Sequence, residues 1–387
     1  MSFAGLGVRA PVVEALLQEG IEVPFPVQAL ALPDALAGRD LCVKAKTGSG
    51  KTIAFAVPLA HRIAANGDHV PRGLVLVPTR ELAMQVFKVI RPLARAAGLR
   101  SAVMYGGASL DRQAEAARRG IDIIVATPGR LIDMLQRGAV SLAAVEMVIL
   151  DEADRMADMG FFPQVEWVLR QLGDIKPQVL LFSATLDGQV DRLITRYLKE
   201  PVHHAIEEET ETVEEMSHRF LAVHQMDRVR VAAAIGRSHG RSLVFVRTKR
   251  GADRLATQLT REGVKAAAIH GDLRQSARER VLRQFMAGSL PVLVATDVAA
   301  RGIHVDDVDV VIQFDPPEDH KSYLHRAGRT ARAGQAGTVV TLVLWDQMIE
   351  VERLQRRLGL AEPVVEVFSN DPRLTDLSQF EVADVAS

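Results

Sequence analysis

The sequence predicts an α/β fold built from two tandem units, each a parallel sheet flanked by helices. Short apolar runs alternate with helix-period stretches over about 35–200, and the same rhythm returns over about 218–345. The runs are rich in Val, Ile and Leu and lack polar alternation, as strands covered on both faces require. At 387 residues, with 48% apolar and 25% charged side chains, the chain has ordinary globular composition and room for two or three domains.

In the first unit, placed at 1–205, the expected strands are Leu41–Lys44, Leu74–Val77, Ala102–Met104, Ile121–Ala126, Met147–Leu150 and Val179–Phe182. Helical patterns lie between most of them. One runs over Glu81–Ala97 and stops at Gly98, a residue suited to the left-handed turn after a helix. The second unit, placed at 218–360, offers Leu243–Val246, Ala266–Ile269, Val292–Ala295, Val308–Phe314 and Thr338–Leu344. The join near 203–217 is strongly acidic. Six of the nine residues from Glu207 to Glu215 are glutamate, so 206–217 reads as a solvated linker, with an exposed helix face as the alternative. Residues 361–387 carry six acidic side chains and one basic one, Arg373, and read as a short acidic tail.

Composition also excludes several classes. No apolar stretch approaches the roughly 18 residues needed to span a bilayer, and the start lacks the pattern of a secretory signal. The single cysteine, Cys42, cannot form an internal disulfide, which fits a reducing, cytoplasmic setting. A net charge of −1 neither points to nucleic acid nor excludes it. Polyanion binding has to come from local sites.

The sharpest of these is Ala45-Lys46-Thr47-Gly48-Ser49-Gly50-Lys51-Thr52, between the first strand and a helical pattern over Ile53–Ala65. Glycines there let backbone N–H groups converge on phosphate oxygens at a helix start. Lys51 would reach the β- and γ-phosphates and the Thr52 hydroxyl would ligate Mg²⁺. Ala45 stands where the general pattern has glycine. Met147–Leu150 ends in Asp151-Glu152-Ala153-Asp154. Asp151 suits a water-mediated Mg²⁺ contact and Glu152 the activation of water, although taken alone the run could be a helix cap. Together the two motifs point to nucleoside triphosphate hydrolysis.

In chain order the motifs resemble those of the DEAD-box ATP-dependent RNA helicases, from Phe3 to Leu344. They comprise Phe3 and Gly20–Gln28 (GIEVPFPVQ), AKTGSGKT at 45–52, PTRELA at 78–83, Gly106-Gly107, TPGR at 127–130, DEAD at 151–154 and SAT at 183–185. The second unit adds VFVRT at 244–248, HGDLRQSARER at 270–280, ATDVAARG at 295–302 and HRAGRTAR at 325–332. The resemblance implies two RecA-like domains with a nucleotide cleft between them, ATP and Mg²⁺ as ligands, RNA as partner, and local separation of short duplexes or remodelling of RNA–protein complexes.

The resemblance also implies roles. Gln28 reads adenine through its amide, with Phe3 buttressing the motif. Ser183 and Thr185 link hydrolysis to strand separation. Arg329 and Arg332 are arginine fingers, suited to the task by a planar, always-charged fork. His325, Arg326 and Asp297 belong to the network that closes the cleft, Asp297 being counted with the nucleotide residues. RNA phosphates fall to Pro78, Thr79, Arg80, Gly106, Gly107, Thr127 and Arg130 in the first unit, and to Thr248, Gly271 and Thr296 in the second, supported by Gln275 and Arg278. Contacts of this kind read the 2′-OH and little base sequence, leaving specificity to a protein partner.

The chain departs from the family pattern in places. Ile21 replaces a usual adenine-stacking aromatic, Phe25 a threonine, His304 an aspartate expected near the ribose, and Ala331 a glycine. These changes bear on nucleotide affinity rather than on phosphate chemistry. Two other readings stay open at this level: an ATP-gated RNA clamp without productive unwinding, and a DNA translocase of the same broad superfamily.

Overall fold

A computed structural model describes residues 1–45, 49–65, 67–174, 176–186, 188–205, 216–300, 308–330 and 337–381, without the side chains of Gln275, Val298, Lys321 and Glu381. Lys46, Thr47, Gly48, Arg332, His304, Ala331 and the acidic stretch 206–215 lie outside the described residues.

The first unit, Met1–Glu207, is built on seven strands. They are β1 (Leu41–Lys44), β2 (Gly73–Leu76), β3 (Ser101–Met104), β4 (Ile123–Ala126), β5 (Met147–Asp151), β6 (Gln178–Ser183) and β7 (Val202–Ala205). All pairings are parallel, in the order β3-β4-β2-β5-β6-β1-β7, with Leu41 opposite Leu180 on one side and Val202 on the other. Side chains alternate between two buried faces, which is why the strands read as unbroken apolar runs. Val43, Val75, Ile149 and Phe182 point to the helices of residues 10–62 and 80–96. Cys42, Leu74, Val148 and Leu181 point to those of 128–136, 162–169 and 189–197. Phe55 meets Phe182 edge to face at 5.2 Å, seating the helix Lys51–Arg62 on the sheet. Burial pushes the Cys42 thiol up to about 11, so it serves as a small apolar residue.

The second unit, Glu208–Ser387, carries β8 (Ser217–Ala222), β9 (Ser242–Phe245), β10 (Ala266–Ile269), β11 (Val292–Ala295), β12 (Val310–Gln313), β13 (Thr338–Val343) and β14 (Val364–Glu366). Its parallel order, β10-β11-β9-β12-β13-β8-β14, repeats that of the first unit position for position.

Three strands were not foreseen. β7 reads Val-His-His-Ala and is half-buried at alternate positions and exposed at the others, so as an edge strand it needs no apolar run. β8 begins at Ser217, inside the stretch expected to be linker. β14 lies in the expected tail and pairs Val364 with Phe220. The tail expectation therefore needs correction, because residues 361–381 help build the second unit. Leu374 and Leu377 are buried in its core, Leu377 O accepts from Arg219 Nε at 3.1 Å, and Ser369 holds both Asp227 carboxylate oxygens at 2.6 and 2.7 Å. An acidic composition marked the exposed side chains of this segment and hid the few apolar ones that anchor it.

Candidate functional site

Strands that all run parallel end on one edge of a sheet, and most of the residues singled out by the sequence lie at those carboxyl ends. Strand order then sorts them. Ala45, Asp151 and Ser183 sit at β1, β5 and β6. Thr79, Gly106, Gly107 and Thr127 follow β2, β3 and β4. The two groups occupy neighbouring halves of one edge, with β4 and β6 separated by three strand spacings, about 14 Å.

In the first group, Gly50 caps the helix Lys51–Arg62 with φ +89°. A Cβ there would lie 2.6 Å from Gln28 Nε2 and 2.7 Å from Phe25 Cδ2, so this glycine is required by both backbone angle and space. Ser49 precedes it and Thr52, half-buried, follows in the first helical turn. Lys51 is buried, and its Nζ donates to Ala45 O at 2.7 Å, which folds the ammonium back along the loop and leaves two donors for an anion. Ala45 N in turn donates to Ser183 O at 2.9 Å.

Asp151 and Glu152 are both buried. Burial raises the Asp151 carboxyl to about 6, opposed by attraction to Lys51 and reinforced by repulsion from Glu152. Its Oδ1 accepts from Glu152 N at 3.0 Å. Glu152 has φ +54° and ψ +51°, a left-handed conformation that a glutamate adopts only under constraint. Its carboxylate is paired with Arg155, a partner the sequence reading missed although i, i+3 spacing at a helix start could have revealed it. Ser183 joins the set through its fully buried hydroxyl, which accepts from Asp154 N at 3.1 Å. One serine thus ties the loop strand to the acidic motif. Thr185 is half-buried two residues on.

Gln28 differs from the simple expectation of a free amide. Its Oε1 accepts from Phe25 N at 2.9 Å and its Nε2 donates to Gly50 O at 3.0 Å, leaving one N–H and one lone pair. Phe3 is buried in the core on the same side of the sheet as Val27.

In the second group, Pro78 is buried and the Thr79 hydroxyl accepts from Leu82 N at 3.3 Å, capping the helix Arg80–Ala96. Arg80 lies over Gly107, where φ is +83° and any Cβ would collide with the guanidinium. Thr127 stands at the start of the helix Pro128–Gln136, and its N–H donates to Met104 O at 3.0 Å. Arg130 is not a surface arginine. It is buried, donating to Gln113 Oε1 at 2.9 Å and Ala108 O at 3.1 Å, and it fastens the Gly106–Ala108 loop to this helix.

The second unit repeats the placement. Thr248, Gly271 and Thr296 follow β9, β10 and β11. The Thr248 hydroxyl caps its helix through Gly251 N at 3.0 Å, Gly271 lies in an exposed turn, and Thr296 is buried. Gln275 opens the helix Gln275–Met286, and Arg278 follows one turn later. Buried Arg326 grips Asp297 with Nε and Nη2 at 2.7 and 2.8 Å and donates from Nη1 to Asp315 O at 2.7 Å. His325 is exposed beside it, and Arg329 is half-buried just past the helix His320–Ala327.

Asp315 was also missed. Its carboxylate accepts from Arg247 N at 2.8 Å and pairs with Arg228 at 3.3 Å, so it holds the segment leading into Thr248. Position for position, β8 corresponds to β1 and β12 to β5. Arg228 therefore opens its helix as Lys51 does in the first unit, and the strand registers set Asp315 level with Glu152, one place beyond Asp151. The loop before Arg228 has no glycine, and the guanidinium lies 4.1 Å over the Phe314 ring. The equivalent place in the second unit is filled by its own side chains.

Two such units, one with a glycine-bearing phosphate loop and one without, define a tandem RecA-like protein of the P-loop class. A family model described as DEAD/DEAH box helicase matches residues 25–193, and one described as helicase conserved C-terminal domain matches 224–334. The chain is 36% identical over 371 residues to the ATP-dependent RNA helicase RhlB of Vibrio campbellii, covering 94% of this chain and 85% of that one. It is 39% identical over 369 residues to the mitochondrial DEAD-box ATP-dependent RNA helicase 9 of Arabidopsis thaliana, covering 93% of this chain and 60% of the relative's length. The structure of S. cerevisiae Dbp5 bound to RNA and ADP BeF3 is similar at a TM-score of 0.80 and 27% identity, over 96% of both chains. This chain belongs to the DEAD-box family of ATP-dependent RNA helicases. Among the described residues, no helix is long and apolar enough to cross a membrane.

Proposed function

We propose that this protein hydrolyses ATP when RNA is bound and uses the cycle to separate short RNA duplexes or remodel RNA–protein complexes. The observation that carries the reading is the division of one sheet edge into a phosphate half and a neighbouring half of helix starts and glycines. A single serine, Ser183, ties together the loop strand and acidic motif of the phosphate half.

Lys51 and the loop backbone bind the phosphates, Gln28 reads the adenine, and Glu152 accepts a proton from the attacking water. The residues fit a magnesium ion. Thr52 would supply one hydroxyl and Asp151 one carboxylate whose charge burial disfavours and a cation would favour. That is the sparse protein set a magnesium ion takes when phosphates and water complete its shell. Bound there, the ion would neutralise charge between the β- and γ-phosphates.

RNA and ATP together favour a closed arrangement of the two units, because each ligand gains contacts from both. Arg329 and Arg332 then bring positive charge to the γ-phosphate, with His325, Arg326 and Asp297 holding that surface in place. Pro78, Thr79, Arg80, Gly106, Gly107 and Thr127 contact the RNA backbone, with Arg130 supporting their loop from behind. Thr248, Gly271, Thr296, Gln275 and Arg278 do the same in the second unit. Because these contacts favour phosphate and sugar, a partner protein supplies target choice.

The test is ATP turnover with and without RNA, alongside displacement of a roughly ten-base-pair duplex, whose stacking averages about 1.4 kcal/mol per step. RNA should raise the ATPase rate and ATP should be needed for displacement. Equal rates with and without RNA would refute the coupling. Stable RNA retention without displacement would replace unwinding by clamping.

A further inference from the structure

Phe25 is out of place by ordinary rules. It is the N-cap residue of the helix Pro26–Leu36, where a Ser, Thr, Asp or Asn would accept a hydrogen bond and phenylalanine cannot. Phe25 is 56% exposed, and among the described phenylalanines only it and Phe368 are more than half exposed. The exposed ring lies against the last glycine of the phosphate loop, so close that a Cβ on Gly50 would overlap Cδ2 at 2.7 Å. Its backbone N–H is held by the Gln28 amide, whose other pole is bonded to Gly50 O. The ring therefore stands on the rim between the amide expected to read a base and the loop expected to hold phosphates. Ile21, at the usual aromatic position, is half-buried and packed against the core, so it has little free face to offer.

We propose that Phe25 is a base-contacting residue, giving the purine of a bound nucleotide the aromatic face that Ile21 cannot supply. The inference rests on reading this edge as an adenine-nucleotide site. A planar base and an aromatic ring attract one another through their faces, whatever the base. An exposed ring beside a base-reading amide loses its contact with water when the base arrives, so the gain appears only in the complex. Recognition is then divided. Gln28 distinguishes adenine by hydrogen bonding, Phe25 adds affinity without regard to base, and the loop binds the phosphates independently of both.

The test is calorimetric titration of the full chain with ADP and, as a base-free probe, inorganic tripolyphosphate. Wild type, Phe25→Leu and Phe25→Thr are compared, the leucine keeping apolar bulk and the threonine restoring a helix cap. Both variants should bind ADP about five- to twentyfold more weakly, from the usual worth of one aromatic–base stack. Tripolyphosphate affinity should stay within about twofold. Phe25→Thr should also melt at a higher temperature than wild type, so that a weaker ADP complex cannot come from a damaged fold. Unchanged ADP affinity in both variants would overturn the inference, as would a parallel loss for tripolyphosphate, which would make the ring a prop for the loop. If wild type bound tripolyphosphate but gained nothing from the nucleoside part of ADP, the adenine-site reading itself would fall, and Phe25 with it.

Discussion

Replacing Asp151 by asparagine should stabilise the metal-free protein while abolishing its ATPase activity. Asp151 is 3% exposed, and its carboxyl is raised from 3.8 to about 6, first by burial and then by Glu152, with Lys51 pulling the other way. Between about pH 4 and about pH 6 the folded state holds more protons at this position than the unfolded state, so stability falls as pH rises through that window. At pH 7 the penalty is fully present. A difference of about two pKa units corresponds to up to about 3 kcal/mol, and the attraction of Lys51 is already inside that figure. Asparagine resembles the protonated form in shape and charge. At one kcal/mol for about 2–4 °C in a unit of this size, the first melting transition should rise by up to about 6–12 °C at pH 7 in EDTA. The gain should shrink towards pH 4.5, where wild type is largely neutral there too. Adding magnesium and ADP should reverse the ranking, because only the carboxylate gains from a cation. A variant that melts at or below the wild-type temperature at pH 7 without metal would refute the claim that this charge is held at a cost to the fold.

Other substitutions probe separate parts of the molecule. Glu152→Gln should retain ADP and RNA binding but turn over ATP about 10²–10⁴-fold more slowly; wild-type turnover in a steady-state assay would remove Glu152 as the base. Arg326→Lys should cost the second unit about 2–3 kcal/mol by thermal melting, since lysine cannot reproduce the fork on Asp297 together with the bond to Asp315 O. A loss below about 0.5 kcal/mol would show that the fork carries no stability. Leu374→Ala should cost about 2–5 kcal/mol, and ending the chain at residue 360 should leave the second unit open to proteolysis. A protease-resistant second unit in the shortened chain would mean that residues 361–381 are dispensable to the core.

Much of the fold was legible because parallel strands buried on both faces announce themselves as apolar runs, and most expected strands lie within two residues of the observed ones. Two of the three missed strands share a cause, while the third, β8, is an interior strand that begins in the stretch read as linker. β7 and β14 are edge strands, and an edge strand needs only a few inward side chains, so His203, His204 and the acidic residues around Val364 masked them. The phosphate loop was legible for a different reason. Gly50 is fixed by a backbone angle and a close approach that no other residue satisfies, so it leaves a mark in the sequence itself.

Side-chain partnerships were not legible in the same way. Arg130 looks like any surface arginine until Gln113 and Ala108, distant in sequence, come to it. Asp315 gains meaning only once β12 is seen to take the place in its sheet that β5 takes in the other. The sequence by itself determined which chemical groups the protein carries, and in what order along the chain. Tertiary structure decided which of them are neighbours. Crossover connections place β5 and β6 between β2 and β1, so phosphate-handling residues about a hundred positions apart meet on one half of an edge. The glycines and helix starts assigned to RNA, interleaved with them in the chain, are collected on the other half.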